Sequence, residues 1–186
     1  MHTPIRILGI AGSLRKLSCN RGLLRAALEL APEGVTIETY DLAGIPIYNQ
    51  DCDTDEARPA VIVEFKAKIR EADAILFATP EYNYSIPGVL KNAIDWASRP
   101  YGDSAWAGKP VAVMGASSGA QGTSRAQYHL RQCFVFLDMH AVNKPEALIG
   151  MSGQRCDDQG NLIDERSRRA VAELVAALAE LTRKLK

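Results

Sequence analysis

Ser13, Arg15, Ser18 and Asn20 lie close together behind an apolar run, Ile5 to Ala11, that reads as a buried strand. Gly12 ends the run, a polar loop follows, and a helical pattern begins at about Asn20. Hydroxyls, a side-chain amide and the cations Arg15 and Lys16 thus meet at a helix start, where unpaired N–H groups and the helix dipole favour an anion. The chemistry this composition suits is binding of a phosphate. The loop is neither a Gly-x-Gly-x-x-Gly dinucleotide turn nor a Gly-Lys-Ser/Thr nucleotide loop.

A second stretch carries more information: Thr79-Pro80-Glu81-Tyr82-Asn83-Tyr84-Ser85-Ile86-Pro87-Gly88 leads into Val89-Leu90-Lys91-Asn92-Ala93-Ile94-Asp95-Trp96. Its two prolines stiffen the loop, and Gly88 lets the next helix start close by. A third loop, Ser117-Ser118-Gly119-Ala120-Gln121-Gly122-Thr123, is rich in glycine and serine. Each of the three follows an apolar run.

The elements that must position these loops alternate. Strands are expected at Ile5–Ala11, Val35–Tyr40, Ala72–Ala78, Lys109–Ala116 and, more weakly, within Met139 to Ile149. Helices are expected at Asn20–Ala31, Ala60–Glu71, from Pro87 through Ala97, up to about Leu137, and at about Asp164–Leu185. The alternating pattern of Val35–Tyr40 suits an edge, and the continuous apolar run Ala72–Ala78 suits the sheet centre. Five strand–helix repeats argue an α/β fold, a parallel sheet with helices on both faces, as one domain over residues 1–186. In such sheets the ligand sits beyond the carboxyl ends of the strands, where all three loops fall. Asp41 to Arg58 is a long connection of the kind that is functional or mobile.

Composition narrows the partners. Lys plus Arg and Asp plus Glu both number 22, so nothing favours nucleic acid or an acidic electron-carrier surface. No run approaches the ~20 apolar residues of a membrane span, and Met1-His2-Thr3-Pro4-Ile5-Arg6 lacks a signal-peptide layout. Cys19, Cys52, Cys133 and Cys156 have no Cys-x-x-Cys spacing and are expected to be reduced thiols of a cytoplasmic protein, with no metal site. His129 and His140 have no partners at metal-ligand spacing.

The motif from Gly12-Ser13-Leu14-Arg15 through Ser18 and Asn20, with Pro80 to Gly88 and Lys91 to Trp96, resembles the NAD(P)H-dependent FMN reductase family, most of all its flavodoxin-like quinone and chromate reductases. The similarity extends to Ala107-Gly108-Lys109-Pro110 and Tyr128-His129-Leu130-Arg131-Gln132. It implies a flavodoxin-like three-layer sandwich with strand order 2-1-3-4-5, non-covalent FMN, NADPH or NADH as co-substrate, and a homodimer or homotetramer. By position, Ser13, Arg15, Ser18 and Asn20 would hold the FMN phosphate, with Cys19 in the same cradle but not a determinant of the family. Pro80, Glu81, Tyr82, Asn83 and Ser85 would line the isoalloxazine edge, and Ser117 and Gly119 would approach it from the third loop.

The flavin would do the redox work, so no catalytic side chain is assigned. Electrons would pass from NAD(P)H through FMN to a quinone, with chromate, azo or ferric acceptors as side substrates and ping-pong kinetics. Two alternatives stand beside this: a reductase that supplies free reduced FMN to a monooxygenase, and a flavodoxin-type carrier without nicotinamide chemistry. Arg125, Tyr128, Arg131 and Gln132 mark either a subunit contact or a solvated helix face, and Trp96 and Trp106 either an interface or the core rim.

Overall fold

The computed structural model describes residues 4–186; Met1, His2 and Thr3, part of the N-terminal stretch read above, lie outside them. Near-continuous apolar runs produce β1 (Ile5–Ala11), β3 (Ala74–Ala78) and β4 (Pro110–Ala116), and an alternating β-branched run produces β2 (Val35–Tyr40), with short strands β5 (His140–Ala141) and β6 (Ala147–Ile149). Between them lie α1 (Cys19–Glu29), α2 (Ala60–Glu71), α3 (Gly88–Ala97), α4 (Ser124–Phe136) and α5 (Glu165–Leu185). The strands pair in parallel in the order β2-β1-β3-β4-β5, and β6 also pairs with β4. This is the expected flavodoxin-like α/β topology.

The expected fifth strand within Met139 to Ile149 is two short pieces on the same side of β4. Val142 to Glu146, with Pro145 among them, interrupts the run, because proline supplies no ladder N–H. Helices cover both faces. Ile7, Leu76, Ala112 and Met114 face α1 and α5 in one cluster, while Leu8, Ile75, Phe77 and Val113 face α2, α3 and α4 in the other. Trp96 and Trp106 are core residues of this second face, both fully buried, with the Trp106 indole donating to the Ile94 carbonyl at 3.1 Å.

One expectation fails. Cys19 and Cys156 are not free thiols: their sulfurs are bonded, with Cα atoms 6.0 Å apart and 137 residues between them. A spacing rule for cysteine pairs cannot see this, because the fold itself brings the 151–162 segment back onto α1. Cys52 and Cys133 are free. Among the described residues, no helix is long and apolar enough to cross a membrane, and no group of three or more His, Cys, Asp or Glu is placed to hold a metal ion.

Candidate active site

β1, β3 and β4 are neighbours in the sheet, so the loops that leave their carboxyl ends are neighbours too. Backbone bonds join them: the Gly12 N–H donates to the Ala78 carbonyl at 2.8 Å, and the Thr79 N–H to the Met114 carbonyl at 2.9 Å. Gly115 permits the closest of these approaches, since a Cβ there would overlap the Thr79 carbonyl and the Thr123 hydroxyl.

The first loop gathers hydroxyl groups at a helix N-terminus. Ser18 is the N-cap of α1, in extended conformation, and its Oγ accepts from the Asn20 N–H at 3.2 Å. Ser13 and Ser18 are buried in the floor, while Leu14, Arg15, Lys16 and Leu17 form an exposed rim. The Asn20 side chain, buried beneath, is already committed: its Nδ2 donates to the Ala116 carbonyl at 2.9 Å and its Oδ1 accepts from the Ala116 N–H at 2.8 Å. It therefore ties the first loop to the third instead of pointing a free amide at a ligand. Cys19 likewise has its sulfur in the disulfide, so what it can offer an anion is its main-chain N–H at the start of α1.

Arg21 braces the same loop. Its Nε donates to the Ser13 carbonyl at 3.0 Å and its guanidinium clamps both oxygens of Asp41 at 2.9 Å. Partial burial pushes the Asp41 carboxyl up, but the Ala43 N–H and Arg21 outweigh it and hold the group below its ordinary range. The Asp41 charge is thus spent on Arg21.

The second loop is a tight hairpin. Tyr82 and Ser85 exchange backbone bonds of 2.9 and 3.0 Å around Asn83 and Tyr84, whose φ angles of 52° and 64° are both left-handed. Two positive φ values define a type I′ turn, which suits asparagine but strains tyrosine. Helix α4 supports it from below. The Arg125 guanidinium stacks 4.0 Å from the Tyr84 ring centre, and one turn on, His129 Nδ1 lies 3.0 Å from Ser85 Oγ. The Glu81 carboxylate accepts from the N–H groups of Arg125 (3.0 Å) and Ala126 (3.2 Å) and pairs with the Arg125 side chain. Glu81 therefore anchors the N-terminus of α4, and only its backbone is left to face a ligand. Tyr82 and Asn83 remain exposed.

The third loop is set by its own serine and by the segment after β6. Ser117 Oγ accepts from the Gly119 N–H at 3.3 Å, and Ser117 exchanges backbone bonds of 3.0 Å with Ile149 and Ser152. The long β2–α2 connection is also pinned. The Pro46 carbonyl accepts from Asn92 Nδ2 and Trp96 Nε1, both at 2.8 Å, and the Tyr48 N–H donates to Asn92 Oδ1 at 2.8 Å. Asn92 and Trp96 stand one turn apart on α3, so a helical spacing in the motif becomes a clasp.

With this geometry in place, comparison with known proteins is decisive. A family model described as NADPH-dependent FMN reductase matches residues 5–154. The chain belongs to the NADPH-dependent FMN reductase family. An NAD(P)H-dependent FMN reductase of Pseudomonas aeruginosa is 51% identical over the full length of both chains. An NADPH:quinone oxidoreductase of Arabidopsis thaliana is 45% identical, covering 97% of this chain and 93% of that protein. Among solved structures, the flavoenzyme NAD(P)H:(acceptor) oxidoreductase FerB of Paracoccus denitrificans superposes with a TM-score of 0.87 at 35% identity, over 97% of this chain and 98% of that one.

The family's cofactor is FMN, with NAD(P)H as co-substrate, and the donor set fits it. Two buried hydroxyls, a capped helix start and two rim cations complement a phosphate dianion. Arg21, Asn92, Trp96 and Arg125 are the bracing residues that motif spacing did not single out for the site. Only the Asn92–Trp96 interval carried a local signal. A cavity of about 730 Å³ lies not over the loop 12–20 but between α3 and α4, reaching the loops at Ser85 and Gly88 and bounded by Lys91, His129, Cys133 and Phe136.

Proposed function

We propose that this FMN reductase takes quinones as its acceptors, with chromate, azo compounds and ferric chelates as side substrates. Its relatives include NADPH:quinone oxidoreductases and a 2-hydroxy-1,4-benzoquinone reductase of a Burkholderia species, 47% identical over 89% of each chain. The observation that carries the proposal is the Tyr82–Ser85 hairpin, braced by Glu81 and Arg125, with Tyr82 and Asn83 exposed on it. An exposed ring on a fixed hairpin meets flat molecules and selects weakly among them.

In this scheme Ser13, Arg15 and Ser18, with the N–H group of Cys19, hold the FMN phosphate, Asn20 braces the loop from beneath, and Arg15 supplies charge compensation. Pro80, Glu81, Tyr82, Asn83 and Ser85 line the isoalloxazine edge mainly through backbone atoms, and Ser117 and Gly119 close on it from the third loop. FMN, when bound, supplies two-electron redox chemistry. The residues named would orient it, and nicotinamide and acceptor would use the site in turn. Ping-pong kinetics would follow from that alternation.

The chain acts as a single FMN-binding unit in the cytoplasm, assembled as a homodimer or homotetramer. Supporting assembly, Val135 and Phe136 of α4 are 83% and 76% exposed beside the α3–α4 groove. Arg125 and Arg131, in contrast, are engaged within the chain, with Glu81 and with the Val142 carbonyl. The test is the absorbance spectrum of dialysed protein during anaerobic NADPH addition and then benzoquinone. Flavin bands that bleach and return are expected. A colourless protein that oxidises NADPH only with added FMN would shift the function to flavin supply, and bands that NADPH cannot bleach would shift it to electron carriage.

A further inference from the structure

The disulfide sits where the phosphate loop becomes a helix. Cys19 is the first residue of α1, next to the Ser18 cap, and is buried; Cys156 is half-buried and opens a small hairpin, bridged from Cys156 to Leu162. That hairpin grips one face of α1 at three successive levels. Cys156 holds Cys19. Gly160 packs on Gly22 so closely that a Cβ at Gly22 would overlap the Gly160 carbonyl. Arg25 donates to the Asn161 side chain at 2.8 Å and to the Gln159 carbonyl at 3.2 Å. Gly160 also abuts the carbonyls of Leu17 and Ser18, within the phosphate loop itself. Of the three levels, the sulfur pair is nearest the cradle and the one whose bond can be made and broken by solution chemistry.

We propose that Cys19 and Cys156 form a reversible redox disulfide that sets how firmly the loop 12–20 is held, and so how tightly the enzyme retains FMN. The proposal rests on that loop being the FMN phosphate site. A hydroperoxide is the oxidant class. The half-buried Cys156 thiolate attacks the peroxide oxygen, breaking the O–O bond and releasing an alcohol or water, and becomes a sulfenic acid. The Cys19 thiolate then attacks that sulfur and expels water. Two electrons leave the sulfurs and reduce the peroxide, and a dithiol reverses the change. With the bond closed, the first turn of α1 and its N–H groups are fixed in place before the ligand arrives. With it open, the Gly22–Gly160 and Arg25 contacts keep the fold, and the cradle alone loosens.

The experiment compares the same protein after hydrogen peroxide and after dithiothreitol, reading accessible thiols under denaturing conditions and FMN affinity by flavin fluorescence. Two thiols are expected in the oxidised form, from Cys52 and Cys133, and all four cysteines in the reduced form. FMN should bind roughly fivefold more tightly to the oxidised form, as expected when a binding loop is pre-organised. The Cys156→Ser variant should bind FMN like the reduced form and ignore peroxide, while a Cys52→Ser, Cys133→Ser double variant should still respond. Four reactive thiols after peroxide, or equal affinity in the two forms, would overturn the proposal. Absence of FMN binding in both forms would overturn the phosphate-loop assignment and the control of FMN with it, and the thiol count would show whether the disulfide itself stands.

Discussion

Asn20 and Arg15 share a loop but do opposite work, and substitution separates them. Asn20→Ala strips both polar partners from the buried Ala116 backbone, which costs on the order of 1–3 kcal/mol of stability. Its urea midpoint should fall along with FMN affinity. Arg15 is exposed on the rim, so Arg15→Ala should leave the urea midpoint in place and weaken FMN binding about tenfold, the loss of one charge-assisted contact. Urea melts and fluorescence titrations on the two variants check this, and parallel behaviour would show that both residues merely hold the loop. Glu81→Gln belongs with Asn20: the carboxylate that serves the α4 N-terminus is lost, and the hairpin should loosen, lowering kcat for quinone more than FMN affinity. What these side chains are was legible in the sequence as hydrogen-bonding chemistry beside an anion loop. Where Asn20 and Glu81 spend that chemistry was not, because their partners lie 96 and 44 residues away.

Helix ends were legible because their signals are local. Asp164 was expected near the start of the last helix and is its N-cap, accepting from the Ser167 hydroxyl at 2.7 Å and the Ser167 N–H at 2.9 Å, with Arg155 beside it. Those bonds, the Ser167 hydroxyl foremost, lower its carboxyl to about 2 from an ordinary 3.8. A group with a depressed folded-state value stabilises above its unfolded value and loses that contribution as pH falls through the folded one. Asp164→Asn keeps a capping side chain without the charge, so its melting temperature should sit below that of the parent at pH 7. The gap should close between about pH 4 and pH 2, and a gap that persists unchanged at pH 2 would assign it to geometry instead. The split of the fifth strand into β5 and β6, by comparison, was half legible: Pro145 marks a break in the ladder, but where pairing with β4 resumes is set by the fold.

At the scale of the whole molecule, five strand–helix repeats argued a parallel sheet with helices on both faces, while the order β2-β1-β3-β4-β5 was expected only through the family resemblance. The 19–156 link was not legible, because it is a product of that arrangement. On the outer surface, Val135 and Phe136 stand off the buried side of α4, formed by Ala126, Leu130 and Phe134, and they remain uncovered in the chain alone. In the proposed assembly they face a second copy. Val135→Glu with Phe136→Glu should therefore shift sedimentation to the monomer while leaving the circular dichroism spectrum unchanged. Retention of the parent mass would place the subunit contact elsewhere.

The clasp on Pro46 has a bearing on how such an enzyme changes over evolutionary time. Asn92 and Trp96 recognise a carbonyl, and Asn92 recognises the amide of Tyr48; neither reads the identity of residue 47. Ile47, held between them and 82% exposed, is anchored in position yet unconstrained in type. A lineage can vary that one side chain without unfastening the strap that carries it, so innovation there is decoupled from foldability.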